Sequence, residues 1–147
     1  MELPEIVVGV LLAGGRSSRM GGGDKCLLPL AGRPILAHII DRLIPQVSDL
    51  IINANGDLAR FSAFGLPVIA DRLGGHAGPL AGVHAGIAWA RANRPESQFV
   101  ITAATDTPFF PTNFLGRKRH FLRAVRLYPI SDFAHADFQR VFKSRGK

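Results

Sequence analysis

The sequence predicts an α/β fold: a three-layer sandwich of helices around a mostly parallel sheet. Three observations carry this expectation. Short apolar runs rich in β-branched residues recur at 6–12, 50–53, 66–70 and 99–102, and such runs read as strands buried on both faces. Helical patterns lie between them, which implies βαβ units with right-handed crossovers. A loop with five glycines, between Ala13 and Asp24, follows the first run directly.

In order, Ile6-Val-Val-Gly-Val-Leu-Leu12 is the first buried strand. Pro34 then opens a helix whose apolar face is Ile35, Leu36, Ile39, Ile40, Leu43 and Ile44, because proline is tolerated at a helix start and these spacings fill one stripe. Leu50-Ile-Ile-Asn53 is the second strand, a short helix covers Leu58 to Phe64, and Leu66-Pro-Val-Ile-Ala70 is the third strand, ending at Asp71. A second glycine-rich loop, Gly74 to Gly82, leads into a helix carrying Val83, Ile87, Ala88 and Ala90, which Asn93-Arg94-Pro95 ends. Phe99-Val-Ile-Thr102 is the fourth strand, with Asp106 just after it. Beyond that, Thr112 is placed to cap a helix through Phe114, Leu115, Phe121, Leu122 and Val125, stopped by Pro129. A further helix carries Phe133, Phe138, Val141 and Phe142. No strand is legible in this last part.

Composition narrows the function classes. Hydrophobic residues make up 47% and charged residues 20% of the 147, as in a soluble domain with one core. No apolar run approaches the roughly 20 residues that span a bilayer. The first run follows Glu2 and Glu5 rather than basic residues, unlike an export signal, and the single cysteine, Cys26, fits a reducing cytoplasm. The net charge of +7 is uneven: up to Leu115 nine Lys/Arg balance nine Asp/Glu, and from Gly116 nine Lys/Arg face two Asp. A basic surface confined to residues 116–147 is not grounds for a nucleic-acid partner. The chain therefore divides into 1–115 and a basic segment, 116–147, of unassigned fold.

In open parallel sheets, ligands bind beyond the carboxyl ends of the strands. Gly14, Asn53, Asp71 and Asp106 each lie at or just past such an end. The loop Leu12-Ala-Gly-Gly-Arg-Ser-Ser-Arg-Met-Gly-Gly-Gly-Asp-Lys25 suits a polyphosphate. Its glycines let backbone N–H groups approach an anion, and Arg16, Arg19 and Lys25 add positive charge. It is not a Walker A loop, because Cys26 rather than Ser or Thr follows Lys25, and it lacks the dinucleotide fingerprint.

These motifs resemble those of the molybdenum cofactor guanylyltransferases. The resemblance rests on Leu12-Ala-Gly-Gly, Arg19-Met-Gly, Asp24-Lys25, Leu28-Pro-Leu-Ala-Gly-Arg-Pro34, Ile52-Asn53-Ala54-Asn55, Ile69-Ala70-Asp71, Gly78-Pro-Leu-Ala-Gly82 and Thr105-Asp106-Thr-Pro108. It covers Ile6 to Asn113. It implies a Rossmann-like fold of the nucleotide-diphospho-sugar transferase type and transfer of GMP from GTP to the phosphate of molybdenum-molybdopterin. The implied GTP-binding residues are Leu12, Ala13, Gly14, Lys25, Asn53, Asp71 and Asp106; the implied catalytic residues are Arg19, Lys25 and Asp106; Asp106 is the implied Mg²⁺ ligand. Asn53 would help read guanine, since an amide offers both a donor and an acceptor to a purine edge. GTP and molybdenum-molybdopterin are the implied partners, with molybdoenzymes or other cofactor-biosynthesis proteins beyond them, and no membrane. Against the family's length the C-terminal part reads as atypical and truncated. The alternatives are a related cytidylyl- or sugar-nucleotidyltransferase, and a GTP-binding module with impaired catalysis.

Other reactive residues are given structural roles. Cys26 and Trp89 are read as packing residues, His38 has no partner legible in the sequence, and His76 and His84 flank the second glycine loop. The five histidines and one cysteine show no zinc spacing.

Overall fold

The computed structural model describes residues 6–13, 24–72, 79–106, 112 and 125–130. Its elements run β1 (Val7–Leu12), β2 (Pro29–Leu30), β3 (Arg33–Pro34), α1 (Ile35–Leu43), β4 (Asp49–Asn53), β5 (Val68–Ile69), α2 (Pro79–Asn93), β6 (Phe99–Ala104) and β7 (Val125–Pro129). Three 3-10 helices join them, at Lys25–Leu27, Ile44–Gln46 and Leu58–Phe64.

The main sheet has the order β5-β4-β1-β6-β7. Its first four strands are parallel, and β7 runs antiparallel along β6. Side chains alternate across the sheet and so feed two cores. Val7 and Leu11 of β1, Leu50 and Ile52 of β4, and Ile101 and Ala103 of β6 pack with Leu36, Ile39, Ile40 and Leu43 of α1 and with Phe61. Val8, Val10, Ile51 and Val100 point the other way, onto Val83, Ile87 and Ala90 of α2. The expected three layers are therefore present. So is the expected packing role of Trp89, which lies against the α2 core.

α1 stops at Leu43, and Pro45 follows in a 3-10 turn that leaves Ile44 48% exposed, so Ile44 does not join the apolar face. Leu58–Phe64 is a 3-10 helix, capped by the Asp57 carboxylate on the Ala59 amide and closed by Gly65 in the left-handed region. The helix expected to run to Val125 is contradicted at its end. Val125–Pro129 is an edge strand on β6, a place where proline is tolerated because its missing donor faces away from the ladder. The rest of that expected helix, except Thr112, and the whole of the second one lie outside the described residues.

The Pro29–Pro34 segment, not anticipated as strand, is a two-stranded hairpin pairing Pro29 with Pro34 and Leu30 with Arg33. Its turn residues Ala31 and Gly32 both have positive φ, at 52° and 79°, as a tight hairpin turn requires. His38 does have a partner: its Nε2 lies 2.7 Å from the Leu30 carbonyl, tying α1 to this hairpin.

α2 sits close to β1 through glycine. A Cβ on Gly86 would come within 2.6 Å of Val10 Cγ2, a buried, β-branched side chain with little rotamer freedom. Gly86→Ala is therefore expected to lower unfolding stability by about 1–2 kcal/mol, overpacking outweighing the helix-propensity gain. Urea denaturation checks this; an unchanged or raised midpoint contradicts the close packing.

Candidate active site at the strand ends

The order of the strands fixes where a ligand can enter. The chain moves outward from β1 to β4 and β5 with α1 and the Leu58–Phe64 helix on one face. It then returns under the opposite face through α2 to reach β6 on the other side of β1. The direction of winding reverses between β1 and β6, and at such a switch point adjacent loops diverge and open a crevice.

The register brings the predicted residues to that rim. Leu12 is level with Asn53 on one side and Ala104 on the other, and Asn53 is level with Ile69. Asp71 and Asp106 each follow two residues beyond these ends. Three strand spacings separate the Asp71 end from the Asp106 end, about 14 Å at roughly 4.8 Å per strand. Gly14 and Arg19 lie outside the described residues.

At the β4–β5 end the polar groups hold one another. The Asp71 carboxylate accepts a hydrogen bond on each oxygen, from Asn53 Nδ2 at 2.9 Å and Asn55 Nδ2 at 2.9 Å. Asn55 Oδ1 in turn accepts from the Asp71 amide at 2.9 Å. Asn53 Nδ2 also donates to the Ile69 carbonyl at 3.3 Å. Asn53 is 2% exposed, and a Cβ on Gly82 would overlap its Oδ1 and come 2.7 Å from Leu12 Cδ2. Both N–H groups of Asn53 are thus committed inside the protein. The amide of Asn53, the residue expected to help read a base, is hydrogen-bonded to Asp71 here, and Gly82 is the glycine that lets α2 close over it. Asn55, which sequence reasoning used only as part of a motif, completes the brace. The signal that could have found it is the Asn-x-Asn spacing at a strand end.

At the centre, the Ala13 amide donates to the Asn53 carbonyl at 2.8 Å, and the Leu12 carbonyl accepts from the Thr105 hydroxyl at 3.0 Å. The first group that Ala13 can offer a ligand is therefore its carbonyl oxygen. Thr105 is almost buried, and its side chain is close enough to the Cys26 thiol to influence its titration. Cys26 is itself buried and free of disulfide, so its expected packing role holds. Burial, and then the Asp24 charge, push its thiol pKa up, which keeps it an un-ionised thiol rather than a nucleophile.

Cys26 thus seats the Lys25–Leu27 turn on the β1–β6 rim. Lys25 itself is exposed and has no ion-pair partner among the described residues. Asp106 is exposed as well, and unpaired among the described residues. No group of three metal-ligating side chains occurs among the described residues. A single open carboxylate suits a hard divalent ion that takes its remaining ligands from phosphate and water, so the residues present fit Mg²⁺ bound together with a polyphosphate. No helix of the described residues is long and apolar enough to cross a membrane.

Residues 9–133 match the model of the MobA-like NTP transferase domain, a span that includes β7. The chain is 52% identical over 127 residues to a molybdenum cofactor guanylyltransferase of Rhodopseudomonas palustris (strain BisB5), covering 86% of this chain and 59% of that protein. The chain therefore spans rather more than half the length of this curated relative. Among solved structures, the molybdopterin-guanine dinucleotide biosynthesis protein A from Archaeoglobus fulgidus superposes with a TM-score of 0.62 at 18% identity, over 93% of this chain and 73% of that one. The Mycobacterium tuberculosis protein Rv0371c, in complex with manganese, superposes with a TM-score of 0.54 at 22% identity, over 75% of this chain and 55% of that one. At these identities the two structures speak to the fold.

Proposed function

The chain belongs to the MobA-like NTP transferase family, and on that premise we propose that it transfers GMP from GTP to the phosphate of molybdenum-molybdopterin, releasing pyrophosphate. The observation that carries this reading is the β1–β6 switch point, flanked by an exposed lysine and an exposed carboxylate, Lys25 and Asp106. The 52% identity to a guanylyltransferase supports GTP as the nucleotide and molybdopterin as the acceptor.

The rim then has two ends with different tasks. The braced Asp71 carboxylate faces the base: its lone pairs not taken by Asn53 and Asn55 can accept N–H groups from the guanine edge. Leu12 and Ala13 lie at the middle of the rim, and the family resemblance makes them, with Gly14, backbone contacts to the nucleotide. Lys25 and Arg19 neutralise phosphate charge, and Asp106 holds Mg²⁺. Bound there with the triphosphate, the ion would supply charge neutralisation on the phosphate oxygens.

In the transfer itself, an oxygen of the molybdopterin phosphate attacks the α-phosphorus of GTP. The bond from that phosphorus to the β-phosphate oxygen breaks, and pyrophosphate leaves. No protein nucleophile is needed, in keeping with the un-ionised Cys26. Lys25 stays close to the phosphates throughout, so its charge counts most as negative charge builds on the leaving group. A cytoplasmic location and hand-over of the product to molybdoenzymes complete the proposal.

The test is calorimetry with Mg²⁺ and GTP, CTP or UTP in turn, followed by assay of guanine dinucleotide formation from GTP and molybdenum-molybdopterin. GTP is expected to bind at least about tenfold tighter than CTP, the discrimination of one well-placed polar contact, and dinucleotide is expected to form. Preference for CTP supports a cytidylyl transferase instead. GTP binding without turnover supports a nucleotide-binding module.

A further inference from the structure

We propose that Arg60 is a positioning residue for the phosphate end of the site, acting through Asp24 to fix Lys25. The inference rests on the nucleotide-binding reading above for its functional consequence, but the clamp itself stands on geometry.

Arg60 sits in the Leu58–Phe64 helix, 36 residues away from Asp24 in sequence. Its Nε donates to Asp24 Oδ2 at 2.5 Å and its Nη2 to Asp24 Oδ1 at 3.3 Å. Nη1 donates to the Asp57 carbonyl, and the guanidinium lies 4.5 Å from the centre of the Phe61 ring. Phe61 is fully buried in the α1 core. The guanidinium is therefore held by two contacts besides Asp24, and its Nε and Nη2 remain to grip the carboxylate. Side-chain exposures of 28% for Arg60 and 17% for Asp24 set this pair apart from the two others described, in which one partner is about half exposed. A two-pronged, partly desolvated pair is the kind that restrains geometry.

Lys25 lies between two tethers. Asp24 is tied to Arg60 on the β4 side, and Cys26 is buried beside Thr105 on the β6 side. Arg60 also neutralises Asp24, a carboxylate directly next to the lysine that meets phosphate. Without Arg60, the turn loses one tether and an uncompensated negative charge stands beside a polyanion.

The experiment has one arm that needs no nucleotide. The amides of Leu27 and Leu28 donate to the carbonyls of Asp24 and Lys25, each at 3.1 Å. In Arg60→Ala, hydrogen exchange at these two amides is expected to speed up about tenfold, with the interior amides of α1 unchanged, since only the local opening is eased. In the second arm, Arg60→Ala is expected to weaken GTP binding about tenfold and guanosine binding less than twofold; in a Lys25→Ala background it weakens GTP less than twofold, because the two act as one unit. Arg60→Lys keeps the charge and the stem over Phe61 but loses the fork, so it should fall between wild type and Arg60→Ala. It also serves both arms should the alanine variant unfold. Unchanged exchange at Leu27 and Leu28, or equal losses for GTP and guanosine, overturns the proposal. If the wild-type protein binds no GTP, the function proposed above fails, and the exchange arm still decides the clamp.

Discussion

Asp106→Asn is expected to lower kcat for guanylyl transfer by roughly three orders of magnitude with little change in thermal stability, an effect of the size seen when a single transition-state charge contact is lost. Asp106 is exposed and makes no ion pair among the described residues, so the fold does not depend on its charge. The amide keeps the shape but has no negative charge and is a weak ligand for a hard ion. On the proposed reading, what is lost is the carboxylate that would hold the metal with the triphosphate. Binding of GTP with Mg²⁺ should weaken far less than turnover, because the triphosphate carries most of the ligands itself. Steady-state kinetics beside calorimetry checks this. A variant that turns over at more than a tenth of the wild-type rate removes Asp106 from the mechanism.

Lys25→Ala is expected to lower kcat/KM for GTP by roughly a hundredfold, equal to about 2.7 kcal/mol at 1.36 kcal/mol per tenfold. Lys25 is a solvated side chain on a turn that Cys26 anchors from below, so its removal leaves the packing untouched. Its loss should grow with the number of phosphates on the nucleotide, being smallest for GMP and largest for GTP. Lys25→Arg keeps the charge on a longer, planar head and should recover part of the activity. Equal affinities of Lys25→Ala and wild type for GTP contradict the phosphate role.

Much of this architecture could be read from the residues. The runs at 6–12, 50–53 and 99–102 became β1, β4 and β6 because strands covered on both faces need continuous apolar sequence, and little else does. The rim residues followed, since strand ends in a parallel sheet all point the same way. β7 was missed for a physical reason. Its one neighbour among the described residues is β6, so it needs no long buried run, and Phe121 and Leu122 before it, with Val125 at its start, fit a helical stripe equally well. The β2–β3 hairpin was hidden by prolines at two of its four strand positions.

At the candidate site, the placement of Asp71 and Asp106 just past strand ends was legible, but their surroundings were not. The brace of Asp71 links residues 16 and 18 positions apart, and the Asp24–Arg60 pair links residues 36 apart. No local pattern encodes such pairs; they arise when the sheet brings neighbouring strand ends together. The surroundings of Asn53 were hidden for the same reason: the contacts of its amide with Asp71 and of its side chain with α2 at Gly82 join separate parts of the chain.

The most direct measurement is a crystal structure of the protein grown with GTP and manganese, read by anomalous scattering from the metal. The peak should lie within direct coordination distance of an Asp106 carboxylate oxygen and a triphosphate oxygen, with Lys25 Nζ on the phosphates and the base beside Asp71. A nucleotide bound away from the β1–β6 crevice, or a metal held without Asp106, would show that this rim is not the active site.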